Sequence, residues 1–253
     1  MNGPRRNWWV EFRGKRNMKI MPRVNVQALM GIEFFADLPM ESRQSIAAMC
    51  RGRQFRVGEK MAWASARNEE VYFIVSGMLR VAHCAESGKE ISLHLLRAGD
   101  SFGEASALYG RSRKLDIIAM QSTTVIALSY ADFLRILSQH EVVHAAVTRR
   151  LARLVDSLAE RVIEFGTLRV PGRVRAEIVR LAKRSPVEER AAVVESPLTH
   201  AEIATFICSH REAVTREISD LKKRGAIVCS EEGWQIPNID AIEDGYAVSR
   251  PRQ

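Results

Sequence analysis

Apolar and polar positions change rhythm three times along the chain. Between 26 and 50, Leu29, Ile32, Phe35 and Leu38 recur at helical spacing and lead into Ile46 and Met49. From 53 to 130 the texture becomes short runs rich in β-formers: Val71–Val75, Leu79-Arg80-Val81, Ile91–Leu95 and Thr124–Leu128. Turn signals separate them, at Val57-Gly58-Glu59, Ser76-Gly77, Glu86-Ser87-Gly88-Lys89 and Ala98-Gly99-Asp100. Many short strands at regular spacing predict a sandwich or roll. From 141 to 165 the period returns to 3.6, with Val147, Leu151, Leu154, Leu158, Val162 and Phe165 in one stripe and Arg149, Arg153, Asp156 and Glu160 opposite. A long helix with one apolar seam between two domains reads as a dimerisation helix, with packing on its own roll as the alternative. Gly166 and Pro171-Gly172 are expected to punctuate its end. Residues 173–184, 198–207 and 210–224 read as further helices, and 227–229 with 234–236 as a hairpin.

The 253 residues leave room for one large domain or two modest ones, and 46% hydrophobic content suffices for a packed core. The net charge of +8 favours a polyanionic partner. The excess is uneven: Arg5, Arg6, Arg13, Lys15, Arg16, Lys19 and Arg23 face Glu11 alone within residues 1–24, and the rest is close to neutral. Global charge is therefore a weak argument for DNA, and 1–24 reads as a basic, disordered extension. Met18 and Met21 also allow a different start. The four cysteines, Cys50, Cys84, Cys208 and Cys229, form no CxxC pair, so no zinc ribbon, iron–sulfur site or other metal site is written here. They read as reduced thiols. No signal peptide or apolar run of membrane-spanning length is apparent, so the expectation is a cytoplasmic protein with no membrane association.

Two capping boxes lie ten residues apart: Thr199 with Glu202, and Ser209 with Glu212. Two short helices with a tight turn between them are a helix-turn-helix; a helical hairpin with a solvated charged face is the plain alternative. In the second helix Val214, Ile218 and Leu221 should face the core and Arg211, Glu212, Thr215 and Arg216 the outside. Arginine suits the O6/N7 edge of guanine and glutamate the N4 of cytosine. Lys222, Lys223 and Arg224 close the helix, where cations suit its dipole and nearby phosphates. The hairpin at 226–236 would be the wing.

The stretch from Leu198 to Ile227 resembles the helix-turn-helix of the CRP/FNR family of bacterial transcription regulators. That family's R-E-x-V-x-R recognition helix is present as Arg211, Glu212, Val214 and Arg216. The resemblance implies base contact by Arg211, Glu212 and Arg216 and phosphate contact by Thr199 and His200, with His210 and Thr215 in the same interface. Cys208 occupies a turn where the family often has glycine, and a positive φ there would carry a cost. His210 stands where serine is frequent.

Residues 102–119 resemble the phosphate-binding cassette of cyclic-nucleotide-binding domains, with Phe102, Gly103, Glu104, Tyr109, Gly110, Arg113 and Ala119 at the family's spacing. The implied ligand residues are Gly103, Glu104, Ala105, Arg113 and Lys114, and the implied effector is cAMP or cGMP. The chemistry stands on its own terms too. A glycine allows close backbone approach, N–H groups at a helix start hold an anion, an arginine fork matches phosphate, and a glutamate accepts a ribose hydroxyl. Lys114 departs from the small residue usual there, and Asp116 adds a negative charge. Leu158-Ala159, after Ser157, takes the place of the Thr-Ser pair that contacts adenine in cAMP-responsive members. A relic cassette in a regulator that needs no effector is the alternative.

Cys84 falls on a roll strand without the histidine a haem sensor would need, and an N-terminal cysteine cluster is lacking. Cys208, beside the second helix's start, reads as a buried structural thiol more readily than as an oxidant sensor. His140-Glu141-Val142-Val143-His144 matches H-E-x-x-H, but it opens the connector helix and lies about 30 Å along that helix from Glu164. It is read as two exposed histidines, and no catalytic residue is assigned.

The expected fold is α+β: a disordered extension (1–24), a cyclic-nucleotide-binding-like β-roll (25–140), a dimerisation helix (141–168), a winged helix-turn-helix (169–245) and a tail (246–253). The expected function is a non-enzymatic, dimeric, sequence-specific DNA-binding regulator on a palindromic operator, acting with RNA polymerase under a small effector. An effector-independent regulator, or a nucleotide-binding module acting on a protein partner, are the alternatives.

Overall fold

A computed structural model describes residues 20–21, 24–62, 69–110, 115–185, 187, 190–195, 197–231 and 233–244. In chain order the elements begin with β1 (Ile20–Met21), α1 (Gln27–Met30), a 3₁₀ turn (Glu33–Phe35), α2 (Met40–Met49), β2 (Arg51–Phe55) and β3 (Lys60–Ala62). Then come β4 (Glu70–Ser76), β5 (Met78–Cys84), β6 (Glu90–Arg97), β7 (Ser101–Phe102), α3 (Glu104–Tyr109), β8 (Asp116–Ala119) and β9 (Thr123–Ser129). Helices α4 (Tyr130–Gln139), α5 (Glu141–Thr167) and α6 (Val170–Ala182) follow. The last part holds β10 (Ala192–Glu195), α7 (His200–Phe206), α8 (Arg211–Lys223), β11 (Val228–Ser230), β12 (Gly233–Ile236) and α9 (Asp240–Glu243).

The predicted roll is two antiparallel sheets, ordered β1-β2-β9-β4-β7 and β3-β8-β5-β6. Alternating side chains from both sheets fill the space between them, with Tyr72, Ile74, Leu79, Leu96, Ile117 and Val125 buried together. Tyr72 stacks on Phe102 with centroids 4.9 Å apart. Gly77 joins β4 to β5 at φ +91°, and a Cβ there would meet the Ser122 carbonyl at 2.5 Å, so only glycine fits. The other face of the first sheet is covered by α1, α2, α4 and the start of α5, through Leu29, Phe35, Phe73, Phe133, Ile136 and Val143.

The α+β expectation holds, with five local corrections. Ile20–Met21 pairs with Gly52 and Arg53 and so is ordered strand within the stretch expected to be disordered. The rest of that stretch up to residue 23, and the tail from 246, lie outside the described residues. Gly166 sits inside α5, which runs to Thr167, and Pro171 falls in the first turn of α6, where its missing N–H is harmless. Ala192–Glu195, not foreseen as a strand, pairs with β12, so the wing is three-stranded. Finally, α8 begins at Arg211 with His210 as N-cap, and no side chain caps it; the Ser209 N–H closes the preceding turn onto Ala204. The second capping box is therefore absent, whereas the first, Thr199 with Glu202, is complete. No helix among the described residues is long and apolar enough to cross a membrane.

Candidate functional site

A cavity of about 110 Å³ opens between the roll and α5. Gly103, Glu104 and Ala105 line one end, where Gly103 at φ +101° turns the chain from β7 into α3. Glu104 is 4% exposed, and burial raises its carboxyl pKa above the usual range. Ser101 Oγ donates to Glu104 Oε1 at 3.2 Å, while Oε2 is buried with no partner. Arg150 of α5 reaches the same corner: it pairs with Asp100 at 2.9 Å and donates to the Ser101 carbonyl at 3.3 Å. Its Nε stands 3.9 Å from Glu104 Oε1, also buried and unbonded. One acceptor and one donor thus share the corner unsatisfied, which suits a ligand hydroxyl. The N–H groups of Ser106 and Ala107 are already engaged by the Gly103 carbonyl. Arg113 and Lys114 lie outside the described residues. Asp116, foreseen as a stray negative charge, pairs with Lys60 at 2.7 Å.

The stripe on α5 does not behave as one seam. Val147 is buried against the roll, and Leu154 and Leu158 line the cavity. Val162 and Phe165 are 70% and 40% exposed, and Val155 is 65% exposed. Val155, Leu158, Val162 and Phe165 share a heptad-like face that is largely open at Val155 and Val162, while Leu158 also borders the cavity and the Arg173 guanidinium lies 5.4 Å from the Phe165 ring centre.

In the helix-turn-helix, Val214, Ile218 and Leu221 are buried and Arg211, Glu212, Thr215 and Arg216 are exposed, as expected. Among the described residues Arg211 and Arg216 have no ion pair. His200 Nδ1 and Thr215 Oγ1 lie 2.8 Å apart, which ties the start of α7 to the outer face of α8. Burial, then the Lys222 and Arg211 charges, lower the His200 pKa. Cys208 carries the positive φ, 51°, and is half-buried where a buried thiol was expected. Glu217, on the inner side, is held by Arg175 of α6.

Residues 52–140 match the cyclic nucleotide-binding domain, and residues 172–244 match the Crp-like helix-turn-helix domain. The cAMP-activated global transcriptional regulator CRP of Haemophilus influenzae is 27% identical over 158 residues, covering 62% of this chain and 70% of that protein. The CRP-like cAMP-activated global transcriptional regulator of Mycobacterium tuberculosis is 28% identical over 192 residues, covering 72% and 84%. The chain belongs to the CRP/FNR family. FixK2 from Bradyrhizobium japonicum shares the fold, with a TM-score of 0.70 over 79% of this chain and 99% of that one at 19% identity. As a CRP/FNR-family chain, it is a DNA-binding transcription regulator under effector control.

This CRP/FNR-family chain also has a junction that sequence reasoning missed. Arg161 of α5 donates to the Phe206 carbonyl at the end of α7 at 3.2 Å and to Glu177 of α6 at 3.0 Å. Arg180 joins both Glu177 and Glu164. The roll touches the helix-turn-helix directly: Arg184 donates to the Leu95 carbonyl at 2.9 Å, and Ser92 Oγ meets Thr205 Oγ1 at 2.6 Å. Met78 and Leu95 of the roll belong to the same apolar cluster as Phe206 and Trp234. The available signal was its position: Arg161 lies about one turn from Leu158 and next to Val162, at the margin of the apolar stripe and not on the charged face of Arg149, Arg153, Asp156 and Glu160. The H-E-x-x-H pair divides differently from a zincin: His140 is the N-cap of α5, outside the helix, and His144 is exposed. No group of metal-holding residues occurs among the described residues.

Proposed function

We propose that the chain acts as a homodimer that places two copies of α8 in successive major grooves of a palindromic operator in double-stranded DNA, in the cytoplasm and in concert with RNA polymerase. The observation that carries this reading is the division of α8 into a buried apolar face and an outer face led by Arg211, Glu212, Thr215 and Arg216. Thr199, His200 and His210 border that face and serve the phosphate backbone. The exposed Val155–Phe165 face supplies the twofold contact, and a twofold assembly spaces the recognition helices by about one DNA turn, ~34 Å.

An effector in the roll, of cyclic-nucleotide type, engages Gly103, Glu104, Ala105, Arg113 and Lys114. The match of residues 52–140 and the unsatisfied Glu104–Arg150 corner support it. Such a ligand touches Leu154 and Leu158, and one turn further Arg161 grips α7, so ligand contact and head position share one helix. The effector shifts the population only by its differential affinity for the two arrangements. The relatives' common role as transcription regulators supports a non-enzymatic reading.

Fluorescence anisotropy with the chain's own promoter tests the proposal. Arg211→Ala should weaken operator binding by about 1–3 kcal/mol while leaving random-duplex binding nearly unchanged. Equal affinity of the unaltered chain for operator and random DNA would refute it.

A further inference from the structure

The effector cavity has two chemically different ends, and α5 measures the distance between them. Arg150 stands at the polar end with Asp100, Ser101 and Glu104. Leu158 lies eight residues on, about 12 Å along the helix at ~1.5 Å per residue. Between and beyond, the helix offers the cavity only Leu154 and Leu158. The opposing roll wall is Leu93, Leu96, Leu115 and Ile117. Among the described lining residues, the single polar side chain at this end is His94. It also borders the crevice that holds Arg161, and so marks the Leu158 end. Burial, and then the charges of Arg184, Arg150, Arg161 and Arg180, hold His94 neutral.

Resting on the proposed effector role of this cavity, we infer that its ligand carries a hydroxyl for Glu104 at one end and an apolar, non-hydrogen-bonding group against Leu154 and Leu158 at the other, and that the edge of a purine is not read there. Among the described residues that line the cavity, the side-chain atoms lacking partners are Glu104 Oε2 and Arg150 Nε, both at the polar corner. A purine turned toward the leucines would bury ring nitrogens and exocyclic groups with at most one partner among the described residues, His94. Each polar group stranded in this way weakens binding by roughly tenfold or more. An apolar wall also discriminates weakly between ligands of similar size, whereas a wall built to hydrogen-bond rejects a ligand lacking the matching group by orders of magnitude.

The test is isothermal titration of the purified full chain with three probes that share the sugar and cyclic phosphate: cAMP, cGMP and benzimidazole riboside 3′,5′-cyclic monophosphate. The benzimidazole compound has no exocyclic donors or acceptors on its base. It should bind at least about tenfold tighter than either nucleotide, the equivalent of one stranded polar group. The two nucleotides should lie within about tenfold of each other. Leu154→Thr, which brings a hydroxyl to the wall, should narrow the gap between cAMP and the benzimidazole compound. Tighter binding of cAMP than of the benzimidazole compound would overturn the inference. Failure of all three to bind, with operator binding intact, would also overturn it and leave the regulator reading standing. Loss of operator specificity in the unaltered chain would instead remove the reading on which the inference rests.

Discussion

Replacing Arg161 by alanine removes a side chain that ties α5 to both α6 and α7. Arg161 is 7% exposed, bonded to the Phe206 carbonyl and to Glu177, with its guanidinium 5.3 Å from the centre of the Phe206 ring. Breaking a buried ion pair from one side commonly costs about 3–5 kcal/mol. Here Arg180 stays bound to Glu177, so that carboxylate is not left bare. Removing Arg161 Nε, buried and unbonded, also relieves a penalty already present. The lost charge-assisted bond to Phe206 and the lost ring contact remain, so about 2–4 kcal/mol of junction stability should go. Hydrogen exchange reads this directly, because the junction opens locally without global unfolding. Amides of α6 and α7 should exchange about 30- to 1000-fold faster, at ~1.4 kcal/mol per decade. Arg161→Met, which keeps the stem over Phe206, should recover part of the protection. Acceleration below about fivefold, or equal acceleration in β4 and β9, would show that Arg161 is not the latch.

Three further outcomes are expected. Thr199→Ala, which deletes the cap of α7 at the Glu202 N–H, should lower the stability of the helix-turn-helix by about 1 kcal/mol in urea titration. Val162→Glu leaves the single-chain core intact, since Val162 is exposed, but should shift sedimentation equilibrium toward monomer by at least about tenfold in dissociation constant. His94 is depressed from 6.5 to about 3, first by burial and then by Arg184. The unfolded chain therefore takes up a proton below pH 6.5 that the folded chain refuses until pH is near 3. Stability should fall as pH drops through that window, by up to about 1.4 kcal/mol per pH unit, and His94→Leu should remove this part of the slope in denaturation measured from pH 7 to 4.

Local patterns were legible wherever a single element decided them. The β-runs at 71–75, 79–81, 91–95 and 124–128 became β4, β5, β6 and β9 with their glycine turns in place. The Val214–Ile218–Leu221 face and the Thr199 cap were likewise readable, because helical spacing and hydroxyl chemistry are properties of neighbouring residues. Errors arose where the deciding neighbour was distant in sequence. Ala192–Glu195 is a strand only because β12 pairs with it across some forty residues. Ser209 misses its cap because Cys208 takes φ 51° and the turn closes onto Ala204.

The sequence by itself determined the order of the two domains, the long helix between them, and which residues share each helical face. Those follow from side-chain period, capping chemistry and turn residues, all short-range. Tertiary structure alone decided that the α5 stripe divides among core, cavity and open face, that Glu104 keeps one oxygen unbonded, and that Arg161 is buried against Phe206. A periodic pattern says which side chains point the same way; what stands opposite them depends on chain segments 45 or more residues away, whose packing sets burial and partner alike.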